Sequence, residues 1–124
     1  MRDNKRQEMA LRTRGFALSV VRLYCSLPKR TVDQVLGRQL LRSGTSVGAH
    51  YREACRAKSN ADFVSKIEGA LQELDETAYW LELLQETKAV RIAHAQPLLS
   101  EANELISIFV TVVRSVKAST AARS

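Results

Sequence analysis

The chain has 124 residues, of which 45% are hydrophobic and 26% are charged, and its formal net charge is +6 at pH 7. These values predict one globular domain with a single core and exclude a disordered or fibrous chain. Residues 1–14 are charged throughout, and no apolar run appears long enough for a membrane span. Cys25 and Cys55 match no metal or disulfide spacing. We therefore expect a cytoplasmic protein with reduced thiols and no membrane partner.

Apolar residues recur every three or four positions, which is the spacing of amphipathic helices. Leu27-Pro28 and Ser59-Asn60 separate the first three helices, because a residue before proline leaves helical geometry and Ser or Asn caps the next helix. Thr31, with Gln34 three residues later, is the expected N-cap of the second helix. The predicted helices span about residues 6–26, 32–58, 61–86 and 94–117, with disordered termini.

Four helices joined by short connections predict an all-α fold, an antiparallel up-down-up-down four-helix bundle that occupies residues 1–124 as a single domain. Pro97 is expected in the first turn of the fourth helix, where a missing N–H costs nothing. The apolar faces of the second and fourth helices are wider than one bundle core requires. A surplus of this kind predicts oligomerisation.

The second helix has an unusual middle, because almost every residue from Ser43 to Ala49 is small. Each interior glycine costs roughly 1 kcal/mol relative to alanine, so a close approach by another helix should compensate. We expect that approach to occur between copies of the chain. The predicted oligomer interface comprises Ser43, Gly44, Ser46, Val47, Gly48, His50 and Tyr51.

Basic residues flank this run and crowd the start of the chain. Such a pattern predicts an acidic partner, with nucleic acid as the first candidate, although a merely solvated basic face is the alternative. No readout motif is present and aromatic residues make up only 6% of the chain, so binding should depend little on base sequence. The predicted nucleic-acid-binding residues are Arg12, Arg14, Arg38, Arg42, Arg52, Arg56 and Lys58, with Lys5 and Arg6 beside them.

The sequence offers little enzymatic machinery. No glutamate precedes His50 or His94 at the spacing of a di-metal bundle, and zinc spacings and a glycine-rich phosphate loop are absent. Ser43 and Ser46 share a helical face with His50, so a nucleophile–base pair is the least favoured hypothesis. We expect no enzyme activity, no catalytic residue, no metal and no cofactor.

Several motifs resemble those of one bacterial family. They are Leu27-Pro28, Gln39-Leu40-Leu41-Arg42-Ser43-Gly44-Thr45-Ser46-Val47-Gly48-Ala49, Glu53-Ala54, Phe63 and Ala70-Leu71-Gln72-Glu73-Leu74. Their order and spacing, over most of the chain, resemble the four-helix-bundle proteins encoded in intervening sequences of the large-subunit ribosomal RNA gene. The family often has Asn-Ile-Ala-Glu-Gly where this chain has His50-Tyr51-Arg52-Glu53-Ala54, so only the glutamate matches there.

The resemblance implies a closed homopentamer of four-helix bundles. The chain is also similar to the accessory subunit of diversity-generating retroelements, a basic pentamer that binds a reverse transcriptase and nucleic acid. We therefore expect a non-enzymatic oligomeric scaffold or accessory protein that binds RNA, DNA or a nucleic-acid enzyme through a basic surface. The alternative is a purely protein-binding oligomer in which basic residues pair with acidic third-helix residues of neighbouring copies.

Overall fold

Four α-helices account for nearly all of residues 3–123, the part of the chain that the computed structural model describes. They are α1 (Asp3–Cys25), α2 (Thr31–Cys55), α3 (Asn60–Glu86) and α4 (Ile92–Arg123). No strand occurs within residues 3–123. The predicted all-α class and the four-helix bundle are confirmed.

Residues early in one helix contact residues late in the next helix, and late residues contact early ones. Gly48 of α2 faces Thr13 of α1, whereas Gly37, earlier in α2, faces Tyr24 near the C-terminal end of α1. The same reversal relates α2 to α3 through Arg42–Glu76 and Glu53–Lys66, and α3 to α4 through Asn60–Thr120 and Glu68–Lys117. Each helix is therefore antiparallel to the next.

The core consists mainly of aliphatic side chains, together with Phe16 and one stacked aromatic pair. The rings of Tyr51 and Phe109 stack at 5.7 Å between centroids, with 14° between their planes. Stacking of this kind adds about 0.5–1.5 kcal/mol to the free energy gained from burial. The most deeply buried aliphatic side chains are Val20, Leu40, Val47, Ile67, Leu74, Leu81, Leu84 and Leu105.

Two buried hydroxyl groups join α2 to α3 inside this core. Oγ of Ser43 and Oγ1 of Thr77 lie 2.9 Å apart, within hydrogen-bond distance, and Oγ1 of Thr77 lies 2.7 Å from the backbone carbonyl oxygen of Glu73. Both side chains are fully buried, and an unsatisfied buried hydroxyl would cost about 1–3 kcal/mol. Their mutual hydrogen bond lets two polar residues occupy the helix contact.

The helix bounds differ from the prediction at both ends of the chain and after α2. α2 ends at Cys55, earlier than predicted, because Ser59 is extended and caps α3 by accepting the N–H of Asp62 at 3.1 Å. The predicted disorder is wrong for residues 3–5 and 118–123, which are helical. The final segment contains three alanines, the residue with the highest helix propensity. Residues 1, 2 and 124 lie outside the described part.

The start of α2 is fixed by a different contact from the predicted capping box. Thr31 is the first helical residue, and Arg30 before it is extended without a side-chain cap. Gln34 donates instead to the carbonyl of Pro28 at 2.9 Å. Arg30 donates two hydrogen bonds, at 2.7 and 3.0 Å, to the buried carboxylate of Asp33. The connection is therefore held by a local ion pair.

Contrary to the expectation from the sequence, α4 is long and apolar enough to cross a membrane by length and composition alone. In the bundle its inner face buries Leu98, Leu105 and Phe109. Its outward stripe is polar and comprises Ser100, Glu104, Ser107, Thr111 and Arg114. An apolar inner face and a polar outer stripe are typical of a bundle helix. Pro97 lies in the second turn rather than the first, because α4 begins at Ile92.

Candidate nucleic-acid interface

The run of small residues in α2 packs inside its own chain. Ser43, Gly44, Val47 and Tyr51 are all buried in the bundle. A methyl group added at Gly44 would lie 2.7 Å from Cγ2 of Val20 in α1, well inside the 3.5–4.0 Å of favourable carbon contact. The close approach that the glycines predicted is therefore intramolecular. These four residues have no surface to offer a second copy, which corrects their assignment to an oligomer interface.

The other three residues of the predicted interface are half-buried. Two of them, Gly48 and His50, also contact neighbouring helices of the same chain. Gly48 faces Thr13 of α1, where an added Cβ would lie 3.4 Å from Oγ1. The ring of His50 occupies space next to Gly69 of α3, which a side chain at position 69 would fill. Ser46 donates to a backbone carbonyl of its own helix at 2.6 Å. The homo-oligomer itself stays a prediction.

The serines near His50 are engaged elsewhere. Ser43 is hydrogen-bonded to Thr77, and Ser46 is hydrogen-bonded to the backbone of its own helix. Nε2 of His50 lies 3.8 Å from Oε2 of Glu73, and Nδ1 is buried without a hydrogen-bond partner in residues 3–123. Within those residues, the hydrogen bond that a Ser–His nucleophile–base pair requires is not formed. The absence of enzyme activity stays a prediction.

Arg12 connects α1 to α4 near the middle of the bundle. Its Nε and one terminal nitrogen donate to the two oxygens of Glu101 at 2.8 and 2.7 Å, and the same nitrogen lies 2.8 Å from Glu104. The hydrogen bond to Glu101 raises the pKa of Arg12, and in return lowers the pKa of Glu101. A bidentate, partly buried ion pair of this kind fixes both side chains. Arg12 is therefore a structural cation.

Arg42 makes the equivalent connection between α2 and α3. It donates to Glu76 and to Glu73, the latter at 3.2 Å. Both hydrogen bonds, that to Glu76 first, raise the pKa of Arg42. The structure thus pairs Arg12 and Arg42, two of the seven predicted nucleic-acid-binding residues, with carboxylates of their own chain. We call them the paired arginines.

The remaining five predicted cations are exposed and have no carboxylate within 4.0 Å among residues 3–123. They are Arg14, Arg38, Arg52, Arg56 and Lys58. Arg38 lies 14 residues before Arg52 on the same helix, which separates them by roughly 21 Å at 1.5 Å per residue. Arg38 therefore does not belong to the same local surface as Arg52, Arg56 and Lys58.

The N terminus of α1 brings a fourth cation to the end of α2. Arg6 lines one groove with Arg52 and Arg56, and a second groove with Lys58. Its Nε is shielded from solvent and has no hydrogen-bond partner within residues 3–123. We call Arg6, Arg52, Arg56 and Lys58 the basic end.

Tyr51 lies in the first of these grooves, beside Cys55. Burial, and next the hydrogen bond with Cys55, raise the pKa of the Tyr51 hydroxyl. The phenol therefore stays neutral at physiological pH and does not offset the charge of the neighbouring arginines. The basic end keeps its full positive charge.

Comparison with known proteins assigns the chain to a family. The model of the 23S rRNA-intervening sequence protein family matches residues 5–111. The chain belongs to this family. A crystal structure of a protein of unknown function from the S23 ribosomal protein family of Bacteroides thetaiotaomicron VPI-5482 is similar, with a TM-score of 0.83 and 35% identity over 89% of this chain and 98% of that one. No curated protein gives a significant match.

In this member of the intervening-sequence family, the second groove of the basic end brings together residues from four helices. Besides the two cations, it is lined by Phe63 of α3 and by Thr111, Val112 and Ser115 of α4. None of these four residues was predicted as a site residue from the sequence. Thr111 follows Phe63 by 48 positions, and no local pattern indicates a contact at that separation. Only the antiparallel packing of α3 and α4 places them together.

Proposed function

We propose that this protein is a non-enzymatic, oligomeric scaffold that binds RNA or DNA through its basic end. The observation that carries the proposal is the convergence of Arg6, Arg52, Arg56 and Lys58, from two helices and a connection, without a carboxylate within 4.0 Å in residues 3–123. Unpaired cations that lie close together are what a phosphate backbone requires. The paired arginines are excluded from this role, because their own carboxylates occupy them.

The charge of the surrounding surface supports the same proposal. Residues 3–8, 52–68 and 114–123 form one end of the bundle and contain nine basic and five acidic side chains. Three of those basic side chains, Lys5, Lys66 and Lys117, pair with glutamates. The excess positive charge therefore belongs to side chains that are free to meet phosphates. Contacts to phosphates carry no sequence information, which agrees with the lack of a readout motif.

The proposed oligomer rests on two exposed faces of opposite charge. The outer face of α1 presents Leu11, 69% exposed, and Leu18, together with Arg14 and Arg22. The outer face of α3 presents Tyr79, 54% exposed, among the carboxylates of Asp75, Glu82 and Glu86. α1 and α3 pack on α2 and α4 rather than on each other, so the two faces lie on opposite sides of the bundle.

An interface between two different faces is heterologous, and repeated use of it gives a ring or a filament. We propose that α1 of one copy docks on α3 of the next, in a closed ring of five. Each copy would then present its basic end beside that of its neighbour. Partners in this arrangement are other copies of the chain and a nucleic acid, alone or within a nucleoprotein.

A salt titration of RNA binding tests the nucleic-acid part. A fluorescent single-stranded RNA should bind tightly at low salt, and the affinity should fall with a log–log slope of about −3, from four contacts at about 0.7 each. No binding at low salt would reject this part. A purely protein-binding oligomer would then be the better description, because it uses the same charges between copies.

The solution mass tests the assembly. Light scattering should give a multiple of the 13.9 kDa chain, and Leu11→Glu should reduce it to one chain, because a carboxylate would then face the acidic surface of α3. Val35→Glu is the matched control, since Val35 is also exposed, on α2. An unchanged mass for Leu11→Glu would show that α1 is not part of the interface.

A further inference from the structure

We infer that the second groove of the basic end takes one unpaired nucleotide, so that the protein prefers single-stranded over double-stranded RNA. The inference rests on the proposed nucleic-acid function and names the form of nucleic acid that the site accepts. It is carried by a groove of about 540 Å³ that joins two cations to an apolar wall. This volume lies within the range of about 300–1,000 Å³ that is usual for ligand sites.

Two cations line the groove and are the groups that a phosphate would contact. Arg6 comes from the first turns of α1, and Lys58 from the connection before α3. Neither has a carboxylate within 4.0 Å among residues 3–123, and the Nε of Arg6 is a buried donor without a partner there. A guanidinium and an ammonium group without carboxylate partners attract a phosphate. A phosphate oxygen is an acceptor of the right charge.

The wall of the groove has the chemistry of a base-binding surface. Phe63, Val112 and Val116 supply apolar contact, and the hydroxyl groups of Thr111 and Ser115 lie on the α4 side. An unpaired base offers flat faces to apolar and aromatic side chains and polar edges to hydroxyls. In a duplex the bases are stacked inside the helix and cannot enter. A duplex would therefore contact only the two cations of the groove, through its phosphates.

The test compares one single-stranded RNA with a duplex RNA of the same length, about 20 nucleotides, which exceeds the 4–16 covered by typical single-strand sites. Anisotropy titrations should show tighter binding of the single strand. Ser115→Trp fills the groove without changing any charge, and it should weaken single-strand binding about tenfold while duplex binding stays the same. Ser107→Trp is the control, since Ser107 is also exposed on α4 but lies outside the groove.

Phe63→Leu gives a second measurement, because it keeps an apolar side chain and removes the aromatic ring. It should also weaken the binding of single-stranded RNA while the binding of duplex RNA stays the same. If Ser115→Trp changes neither affinity, or lowers both equally, the inference is wrong while phosphate binding by the basic end stands. If neither RNA binds to the wild-type protein at low salt, the proposed function fails and the inference fails with it.

Discussion

The paired arginines and the basic end contain the same residue type in two different environments. Arg42 and Arg52 lie on one helix, ten residues apart. Arg42 faces Glu73 and Glu76 of α3, whereas the groove at Arg52 is lined on the α1 side by Arg6, Gln7 and Ala10, none of them acidic. The facing helix therefore decides whether an arginine holds the fold together or stays available for a partner.

The largest effect is expected on RNA affinity, when charge is reversed at the basic end. The double substitution Arg52→Glu and Arg56→Glu should weaken single-stranded RNA binding on the order of 100-fold, because two phosphate contacts become repulsive. Anisotropy titrations at constant salt measure the change. The control is Lys29→Glu with Arg38→Glu, two exposed residues that lie outside both the basic end and the proposed interface, and it alters the net charge equally. Equal losses in the two double variants would show that overall charge, and not the basic end, binds RNA.

Removing the first paired arginine should affect stability instead. Arg12→Ala should lower the free energy of unfolding by about 1–2 kcal/mol, because it leaves a partly buried Glu101 without its bidentate partner. Urea unfolding followed by circular dichroism measures this change. RNA affinity should stay within about twofold of wild type, since one phosphate contact is worth more than that. A large loss of affinity without a loss of stability would reassign Arg12 to the binding surface.

The same ion pair predicts a pH dependence. Arg12 lowers the pKa of Glu101 below its ordinary value of 4.5, so the folded state binds this proton less readily than the unfolded chain does. The resulting stabilisation is present above pH about 4.5 and is lost as pH falls through the lowered pKa. Urea midpoints at decreasing pH should therefore fall more steeply for wild type than for Arg12→Ala. Parallel curves would contradict the assigned cause.

The smallest effect is expected for Arg42→Ala. The Arg42 side chain is 49% exposed, against 28% for Arg12, and ion pairs in contact with water contribute less to stability. The free energy of unfolding should fall by about 0.5–1 kcal/mol. Arg38→Ala, which removes an arginine without a carboxylate partner in residues 3–123, should change it less. If Arg42→Ala costs more than Arg12→Ala, the burial of the carboxylate left unpaired, 13% exposed for Glu73 against 27% for Glu101, outweighs the exposure of the arginine.

The sequence by itself determined the helices and their class. The three-and-four spacing of apolar residues predicted all four helices, and Ile67, Leu74 and Leu81, which lie at this spacing in α3, are fully buried. These features are local, because the helix period and the capping residues act within a few positions. The same motifs also led to the family, which the comparison confirms.

Only the tertiary structure decided which residues face each other. The sequence showed that Gly44 requires a close neighbour but not that this neighbour is Val20 of the same chain. It showed seven candidate arginines and lysines but not that two of them, Arg12 and Arg42, form ion pairs with Glu101 and Glu73. Both outcomes depend on residues more than 20 positions apart. Burial and pairing at that distance follow from the packing of helices, which no local pattern encodes.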